Sequence, residues 1–158
     1  LLTAPVRDVE LVVGKWLGAF LLVLTLVAVT LLFPVTLNAI TEPGIDQGPL
    51  IAGYLGVLLV SSAFLAIGVA VSSLFHNQVA SFLVTFFVIV IFWWIFGMFA
   101  QVNNTGGNSV VSYLNLSSHF YENLYLGVID LSSVVFMLSL TALSLLLGTV
   151  SVETRRWR

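Results

Sequence analysis

The chain has 158 residues, of which 59% are hydrophobic and only 8% are charged, and its formal net charge is -2. A typical soluble domain is about 25% charged, and the stretch between Gln47 and Tyr121 contains no Asp, Glu, Lys or Arg. This composition excludes a water-soluble globular fold and predicts an integral membrane protein. The chain has no cysteine, which excludes disulfides and thiolate metal sites.

The first predicted element is a short amphipathic helix over residues 1–15. Pro5 suits the first helical turn, and Asp8 lies near the positive end of the helix dipole. Apolar residues recur there at spacings of three or four, at Leu2, Val6, Val9 and Val13. Such a helix at the membrane surface is either an anchor or a docking element for a soluble partner. Its mixed charge favours a protein partner, because binding to anionic lipid favours a run of Lys and Arg.

Four segments are long and apolar enough to cross a membrane, which takes about 20 residues of helix. These predicted spans are residues 16–38, 50–74, 79–99 and 131–152. They are apolar on all faces, whereas the strands of a membrane β-barrel would alternate polar and apolar residues. We therefore predict an all-α membrane fold, with four transmembrane helices in one domain over residues 1–158.

Pro34 lies inside the first predicted span. Because proline has no N–H and its ring crowds the preceding turn, it predicts a kink in that helix. Thr30, Thr36 and Asn38 lie nearby in the sequence, and their side chains could satisfy backbone groups freed at the kink.

Three polar segments separate the spans. Residues 41–49 contain two prolines and two glycines and predict a turn, and residues 75–78 predict a tight hairpin. The longest connection covers residues 100–130. Its second half is amphipathic and aromatic, which predicts one or two short helices in the membrane interface.

The charged residues predict the orientation of the chain. Four spans place both termini on one side of the membrane. The basic residues lie near the termini, at Arg7, Lys15, Arg155, Arg156 and Arg158. Among Asp, Glu, Lys and Arg, the two longer loops hold only the acidic types, at Glu42, Asp46, Glu122 and Asp130. The positive-inside rule then predicts a multi-pass protein of the inner (cytoplasmic) membrane with both termini in the cytoplasm. Tryptophan is enriched at membrane interfaces, which predicts Trp16 and Trp157 at the inner interface and Trp93 and Trp94 at the outer one.

The spans contain no Asp, Glu, Lys, Arg or His, and ion-driven carriers usually bury such groups as coupling sites. Energy for any transport would then arrive from outside the bilayer, although a passive anchor explains the same absence. The chain has no phosphate-binding GxxxxGK[ST] loop. His76 and His119 fall on opposite sides of the predicted topology and cannot share a metal. The sequence thus predicts a protein that is not itself an enzyme and has no cofactor.

Pairs of small residues recur at four-residue spacing in the spans, which permits close contact between helices. These pairs are Gly14 and Gly18, Ala52 and Gly56, and Ala66 and Ala70. The spacing leaves two interpretations open, packing within one subunit and association between subunits.

The opening stretch "LLTAPVRDVELVVGKWLGA" resembles the cytoplasmic segment of ABC transporter permeases of the type-two exporter superfamily. Their pattern is met at Leu1, Leu2, Pro5, Val6, Glu10, Gly14 and Lys15. The chain is also similar to the gliding-motility-associated subgroup, in the stretches 53–81 and 118–147. Where that subgroup often carries a charged pair, this chain has Ser132 and Ser133.

The resemblance implies a permease with six spans, of which this chain would be the last four. It implies that the helix at the start is a coupling helix seated in a separate ATPase subunit. The implied ATPase-coupling residues are Pro5, Val6, Arg7, Asp8, Glu10, Gly14 and Lys15, with the cytoplasmic hairpin at His76, Asn77 and Gln78. The outer-loop segment would be a re-entrant helix pair, with signature residues Ser118, His119, Phe120, Gly127 and Asp130. The implied partners are a second permease subunit, two ATPase subunits and membrane lipids, with no nucleic acid.

Three functions are compatible with the sequence. The first is the membrane subunit of an ATP-driven exporter. The second is a structural membrane anchor in a surface or motility complex, which would need no ATPase. The third, a channel or ion-coupled carrier, is disfavoured by the absence of buried charge.

Overall fold

The computed structural model describes residues 7–42, 44–95, 98, 114, 116–124 and 126–156, with side chains for all of these except 118, 122–124, 155 and 156. The helices are α1 (Asp8–Thr30), α2 (Leu32–Ile40), α3 (Gln47–Leu74), α4 (Gln78–Val90), α5 (Leu116–Ser118) and α6 (Leu131–Arg156). Two π-helical turns, Ile91–Ile95 and His119–Leu124, extend α4 and α5. The described residues form no strand.

Four helical stretches are long and apolar enough to span a membrane. They are Asp8–Ile40, Gln47–Leu74, Gln78–Ile95 and Leu131–Thr154. The predicted all-α fold with four membrane-spanning helices is therefore confirmed.

The bundle is built around α3, which packs against α1, α4 and α6, and most extensively against α6. A side chain at Gly148 of α6 would meet both Val12 of α1 and Ala70 of α3 at 3.3 Å. One turn later, Ser151 Oγ donates a hydrogen bond of 3.2 Å to the Ser73 carbonyl. Helices α3 and α6 therefore run parallel. Helix α1 runs antiparallel to both, because its start lies beside the ends of α3 and α6.

This arrangement defines two ends of the bundle. The start of α1, the hairpin between α3 and α4 and the end of α6 lie together, and we call this the terminal end. Helix α2, the start of α3, helix α5 with its π-helical turn, and the start of α6 lie at the opposite end, which we call the loop end.

Helix α1 is continuous from Asp8 to Thr30, and it contains both the described part of the predicted surface helix and the start of the predicted span at Trp16. The Glu10 side chain accepts a hydrogen bond of 3.3 Å from the Arg7 N–H, which starts the helix. Gly14 does not interrupt the helix, since a glycine inside a helix costs only about 1 kcal/mol relative to alanine. Residues 1–6 lie outside the described part of the chain.

The helix is interrupted one turn before Pro34, the residue at which a kink was predicted: α1 ends at Thr30 and α2 begins at Leu32. Proline has no N–H to donate to the carbonyl four residues earlier, which is that of Thr30. That carbonyl instead accepts a hydrogen bond of 3.1 Å from the Tyr54 hydroxyl of α3.

The polar side chains predicted to satisfy the kink do not do so. The hydroxyls of Thr30 and Thr36 donate to carbonyls of their own helices, at Val27 and Phe33. The Asn38 side chain accepts from the backbone N–H of Ile45, beyond the end of α2. A residue from another span thus satisfies the carbonyl freed by Pro34, and the local sequence around the proline does not indicate this contact.

Small residues of α3 are packed inside the chain. Ala52, Gly56, Ala66 and Ala70 are all buried. By contrast, a side chain at Gly14 or Gly18 of α1 would meet no atom within 4 Å in the described structure. The α3 pairs therefore serve packing within the subunit, while those glycines of α1 lie on a face away from the other described helices.

Polar side chains also join the helices at the middle of the bundle. Ser62 of α3 and Thr141 of α6 have their hydroxyls 3.4 Å apart, and both residues are buried. Trp16 Nε1 donates to the Ser62 carbonyl at 3.1 Å. Trp16, expected at the membrane interface, is thus bonded to the middle of a neighbouring span, an arrangement that holds α1 against α3. Trp157, expected at the same interface, lies outside the described residues.

Candidate functional site

The terminal end carries most of the residues predicted to meet an ATPase. Arg7, Glu10, Gly14 and Lys15 are exposed on the first turns of α1, and Asp8 is half-buried. These positions begin a helix that continues into a span. Pro5 and Val6, predicted for the same role, lie outside the described residues.

The hairpin between α3 and α4 lies at this end as well. His76, Asn77 and Gln78 are exposed. The Asn77 side chain accepts a hydrogen bond of 2.9 Å from the Val79 N–H and so caps the start of α4. The structure therefore brings the start of α1 and the hairpin to one end of the bundle. Their predicted contact with an ATPase subunit stays a prediction.

A groove leads from this end along the bundle. It has a volume of about 490 Å³, with Lys15 at its edge, Phe64, Gly68 and Ser72 of α3 on its floor, and Thr85 of α4 on its far wall. The lysine therefore adjoins a mostly apolar surface, where its apolar stem can pack while the amine reaches water.

The loop end holds a hydrogen-bonded chain of three side chains. His119 Nδ1 lies 2.9 Å from Ser133 Oγ, and Ser133 Oγ donates to Asp130 Oδ2 at 3.5 Å. The other carboxylate oxygen, Asp130 Oδ1, accepts the Ser132 N–H at 3.2 Å, capping the start of α6. The chain thus connects the π-helical turn after α5 to the first turn of α6.

These side chains are removed from water. His119 is 8% exposed and Ser133 is 0% exposed. The His119 ring stacks on Phe136 with a centroid distance of 4.7 Å. Buried polar groups in a membrane protein need internal partners, because an unsatisfied group costs several kcal/mol there.

The three residue types match a hydrolase triad, but their order does not. In a triad the histidine lies between the serine and the carboxylate and takes the proton of the serine. Here Ser133 lies between His119 and Asp130, and it is fully buried. The arrangement positions the π-helical turn after α5 against α6 and leaves the Ser133 hydroxyl buried.

Gly127 provides a second attachment at the loop end. Its φ is +87°, and a side chain there would meet the Cα and N atoms of Pro49 at 3.0 Å. Both the backbone conformation and the close approach require glycine. The segment before α6 therefore packs closely against the start of α3.

The remaining predicted residues of this segment have different outcomes. Phe120 packs beside Trp93, with ring centroids 6.1 Å apart, and beside Tyr121 at 5.3 Å. The side chain of Ser118 lies outside the described part of the chain. The predicted short helices are present as α5 and its π-helical turn, and Leu116 of α5 is fully buried in a cluster with Val60, Phe136 and Met137.

Two residues that form hydrogen bonds between elements of the bundle, Ser133 and Tyr54, were not predicted from the sequence. Ser133 entered only as a departure from the subgroup pattern, and Tyr54 was not singled out. A signal for Tyr54 existed, because Pro34 frees the Thr30 carbonyl and Tyr54 is the one tyrosine in the four predicted spans. No comparable signal marked Ser133, whose partner His119 is 14 residues away, in the π-helical turn after α5.

Comparison with known families agrees with this architecture. A family model described as "ABC-2 family transporter protein" matches residues 1–157, whereas no curated protein and no solved structure matches the chain. The match confirms the predicted type-two ABC permease superfamily; the gliding-motility-associated subgroup stays a prediction. With nearly its whole length covered, the chain belongs to the ABC-2 transporter family as a multi-pass transmembrane permease component.

Proposed function

We propose that the chain is the membrane subunit of an ATP-driven exporter of the gliding-motility-associated type. A separate ATPase subunit binds at the terminal end, and two permease subunits, identical or different, form the translocation path together. Membership of the ABC-2 family supports this proposal.

The geometry of the terminal end is the observation that carries the proposal. Exposed Arg7 and Glu10 lie on the first turn of α1, and the exposed hairpin at 75–78 lies at the same end. Because α1 is one helix from Asp8 to Thr30, a displacement of its first turn moves the span with it. A rigid connection of this kind suits the transmission of a conformational change from a soluble partner.

The source of energy supports the same assignment. Residues 16–41 contain no Asp, Glu, Lys, Arg or His, and neither do residues 48–75 or 77–118. Carriers driven by ions usually bury such groups in their spans. An ATPase subunit supplies energy without them.

In this proposal the terminal end faces the cytoplasm. Reporters fused at residues 76 and 158 are then expected on the cytoplasmic side, and reporters at 46 and 105 on the opposite side. A reporter at 105 that is active on the cytoplasmic side would refute the orientation, without bearing on the helix arrangement.

The coupling assignment is tested by reversing both charges, with Arg7→Glu and Glu10→Lys in the full-length protein. We expect ATPase subunit recovered with the purified permease to fall at least about ten-fold, because like charges then face each other across the contact. Membrane insertion stays unchanged. The matched control is Glu42→Lys, an exposed charge reversal at the loop end, which should leave recovery unchanged.

Two results would contradict the proposal. Full ATPase recovery and unchanged ATP hydrolysis in the double variant would remove the coupling role of α1. Consistent absence of any ATPase subunit from the wild-type protein in mild detergent would instead favour a structural membrane anchor.

A further inference from the structure

A large groove opens at the loop end between α1, α3 and the π-helical turn after α5. Its volume is about 950 Å³, within the range of about 300–1,000 Å³ that holds drug-sized ligands. The walls are mainly apolar, with Leu26 and Val27 on one side and Leu50 and Val57 on another. Gly53 also lines the groove, and a side chain added there would meet no atom within 4 Å, which leaves room for a ligand.

One wall of the groove is aromatic. Phe120 and Tyr121 line it, and their rings lie 5.3 Å apart in an edge-to-face arrangement. Trp93 contacts both of them, at centroid distances of 6.1 Å and 5.9 Å. Tyr54, whose hydroxyl is bonded to the Thr30 carbonyl, adds a further ring. Aromatic faces attract cations, and most strongly where water is excluded.

The groove also carries one negative charge. Asp46 lines it, and one carboxylate oxygen of this exposed residue accepts the Gly48 N–H at 3.2 Å. No Lys or Arg occurs anywhere between residues 16 and 154, so no lysine or arginine of this part of the chain neutralises Asp46. The charge and the aromatic rings both complement a positively charged ligand, while the apolar walls complement a hydrocarbon tail.

We propose that this groove binds an amphiphile with an ammonium headgroup, its head beside Asp46 and the aromatic wall and its tail between α1 and α3. The ligand enters from the membrane leaflet that surrounds the loop end. This site does not depend on coupling to an ATPase, so it is tested without nucleotide, and its failure would leave the proposed function untouched.

The test uses a hexadecyl amine with a photoactivatable group in its chain, and the matched alcohol and carboxylic acid. Full-length protein in lipid nanodiscs is irradiated with each probe, and labelled peptides are identified by mass spectrometry. We expect the amine to label residues 26–30 and 50–57 about five-fold more than the alcohol, as an exposed charge contact allows. The acid should label them no more than the alcohol.

Variants separate the charge from the shape of the groove. Asp46→Asn keeps an N-cap residue of equal quality and should remove the preference for the amine, while Asp46→Glu should keep it. Glu42→Gln, which removes an acidic residue outside the groove, should change nothing. Gly53→Phe should reduce labelling by all three probes because it fills the groove.

Equal labelling by the amine and the alcohol in the wild-type protein would overturn the proposal, and this comparison needs no variant. A preference that survives in Asp46→Asn would also overturn it, as would an equal loss in Glu42→Gln. Stronger labelling by the carboxylic acid would overturn it too, since the groove would then take ligands of the opposite charge.

Discussion

Two buried polar side chains at the loop end of the bundle are bonded to each other and to a half-buried carboxylate, whereas the charged side chains that begin α1 at the terminal end are mostly exposed. His119 and Ser133 are 8% and 0% exposed, and their hydrogen bond continues to Asp130. At the terminal end, Arg7 and Glu10 lie on the surface. The loop end is thus tied together internally, while the terminal end presents its charges outward.

The difference shows how one apolar bundle can serve two tasks. Buried hydrogen bonds in a low-dielectric setting are strong and costly to break, so the contact between His119 and Ser133 holds the π-helical turn after α5 against α6. Exposed charges contribute little to stability, and they remain available to a partner. Internal hydrogen bonds therefore join α6 to the turn after α5 at the loop end, while Arg7 and Glu10 lie on the surface at the terminal end.

The largest expected effect is at Gly127. Gly127→Val introduces a branched side chain at a positive φ and against the Pro49 backbone, and should lower the free energy of unfolding by about 3 kcal/mol or more. Unfolding of the full-length protein by titration with a denaturing detergent measures this. Gly53→Val, at an open helical position, is the control and should cost far less. Equal losses in both variants would show that the Pro49 contact is unimportant.

The buried hydrogen-bonded chain should give the next largest effect. Ser133→Ala removes the link between His119 and Asp130, and leaving buried polar groups without this partner should cost about 1–3 kcal/mol. The same unfolding titration applies. Ser139→Ala is the matched control on α6, because this exposed residue has its hydroxyl bonded to the Phe136 carbonyl of its own helix. A loss in Ser139→Ala as large as that in Ser133→Ala would contradict the role given to the chain.

A smaller effect is expected at the kink. Tyr54→Phe removes the donor to the Thr30 carbonyl and should lower stability by about 1 kcal/mol, while Pro34 keeps the helix kinked. Tyr54→Phe combined with Pro34→Ala should recover part of this loss, since an alanine at position 34 would restore a backbone donor to the same carbonyl. Strictly additive losses in the double variant would show that Tyr54 does not compensate for the proline.

The smallest effect on stability is expected at the terminal end. The double reversal of Arg7 and Glu10 removes the exposed hydrogen bond that starts α1 and should lower the free energy of unfolding by only about 0.5 kcal/mol, while it weakens recovery of the ATPase subunit. The two measurements together sharpen the contrast between the ends. A large loss of stability in this variant would mean that the first turn of α1 is structural, and that its charges are not reserved for a partner.

Much of the helix arrangement could be predicted from composition alone. A run of about 20 apolar residues must be helical in a membrane, because no water is present to satisfy its backbone. The Pro34 kink was predictable for a similarly local reason. The start of the first span at Trp16 stays a prediction, because α1 runs through that position as one helix.

The candidate sites were predictable in part. Motif resemblance placed His119, Gly127 and Asp130 in one signature, and the structure shows how these residues attach the segment before α6 to α3 and α6. Ser133 and Tyr54 were missed because their partners are distant in sequence. The contact of α1 with an ATPase subunit stays a prediction, which recovery of that subunit with the charge-reversed permease tests.

The sequence by itself determined the membrane class, the number of spans, the position of the kink and membership in the ABC-2 family. Only the tertiary structure decided which span is central, which small residues pack inside the subunit, and where a groove remains open. The physical reason is the composition of the spans. Helices that are apolar on every face carry no periodic signal for the side that is buried. Packing in a membrane depends instead on small residues and hydrogen bonds that meet across helices, such as Ala70 with Gly148 and Tyr54 with Thr30.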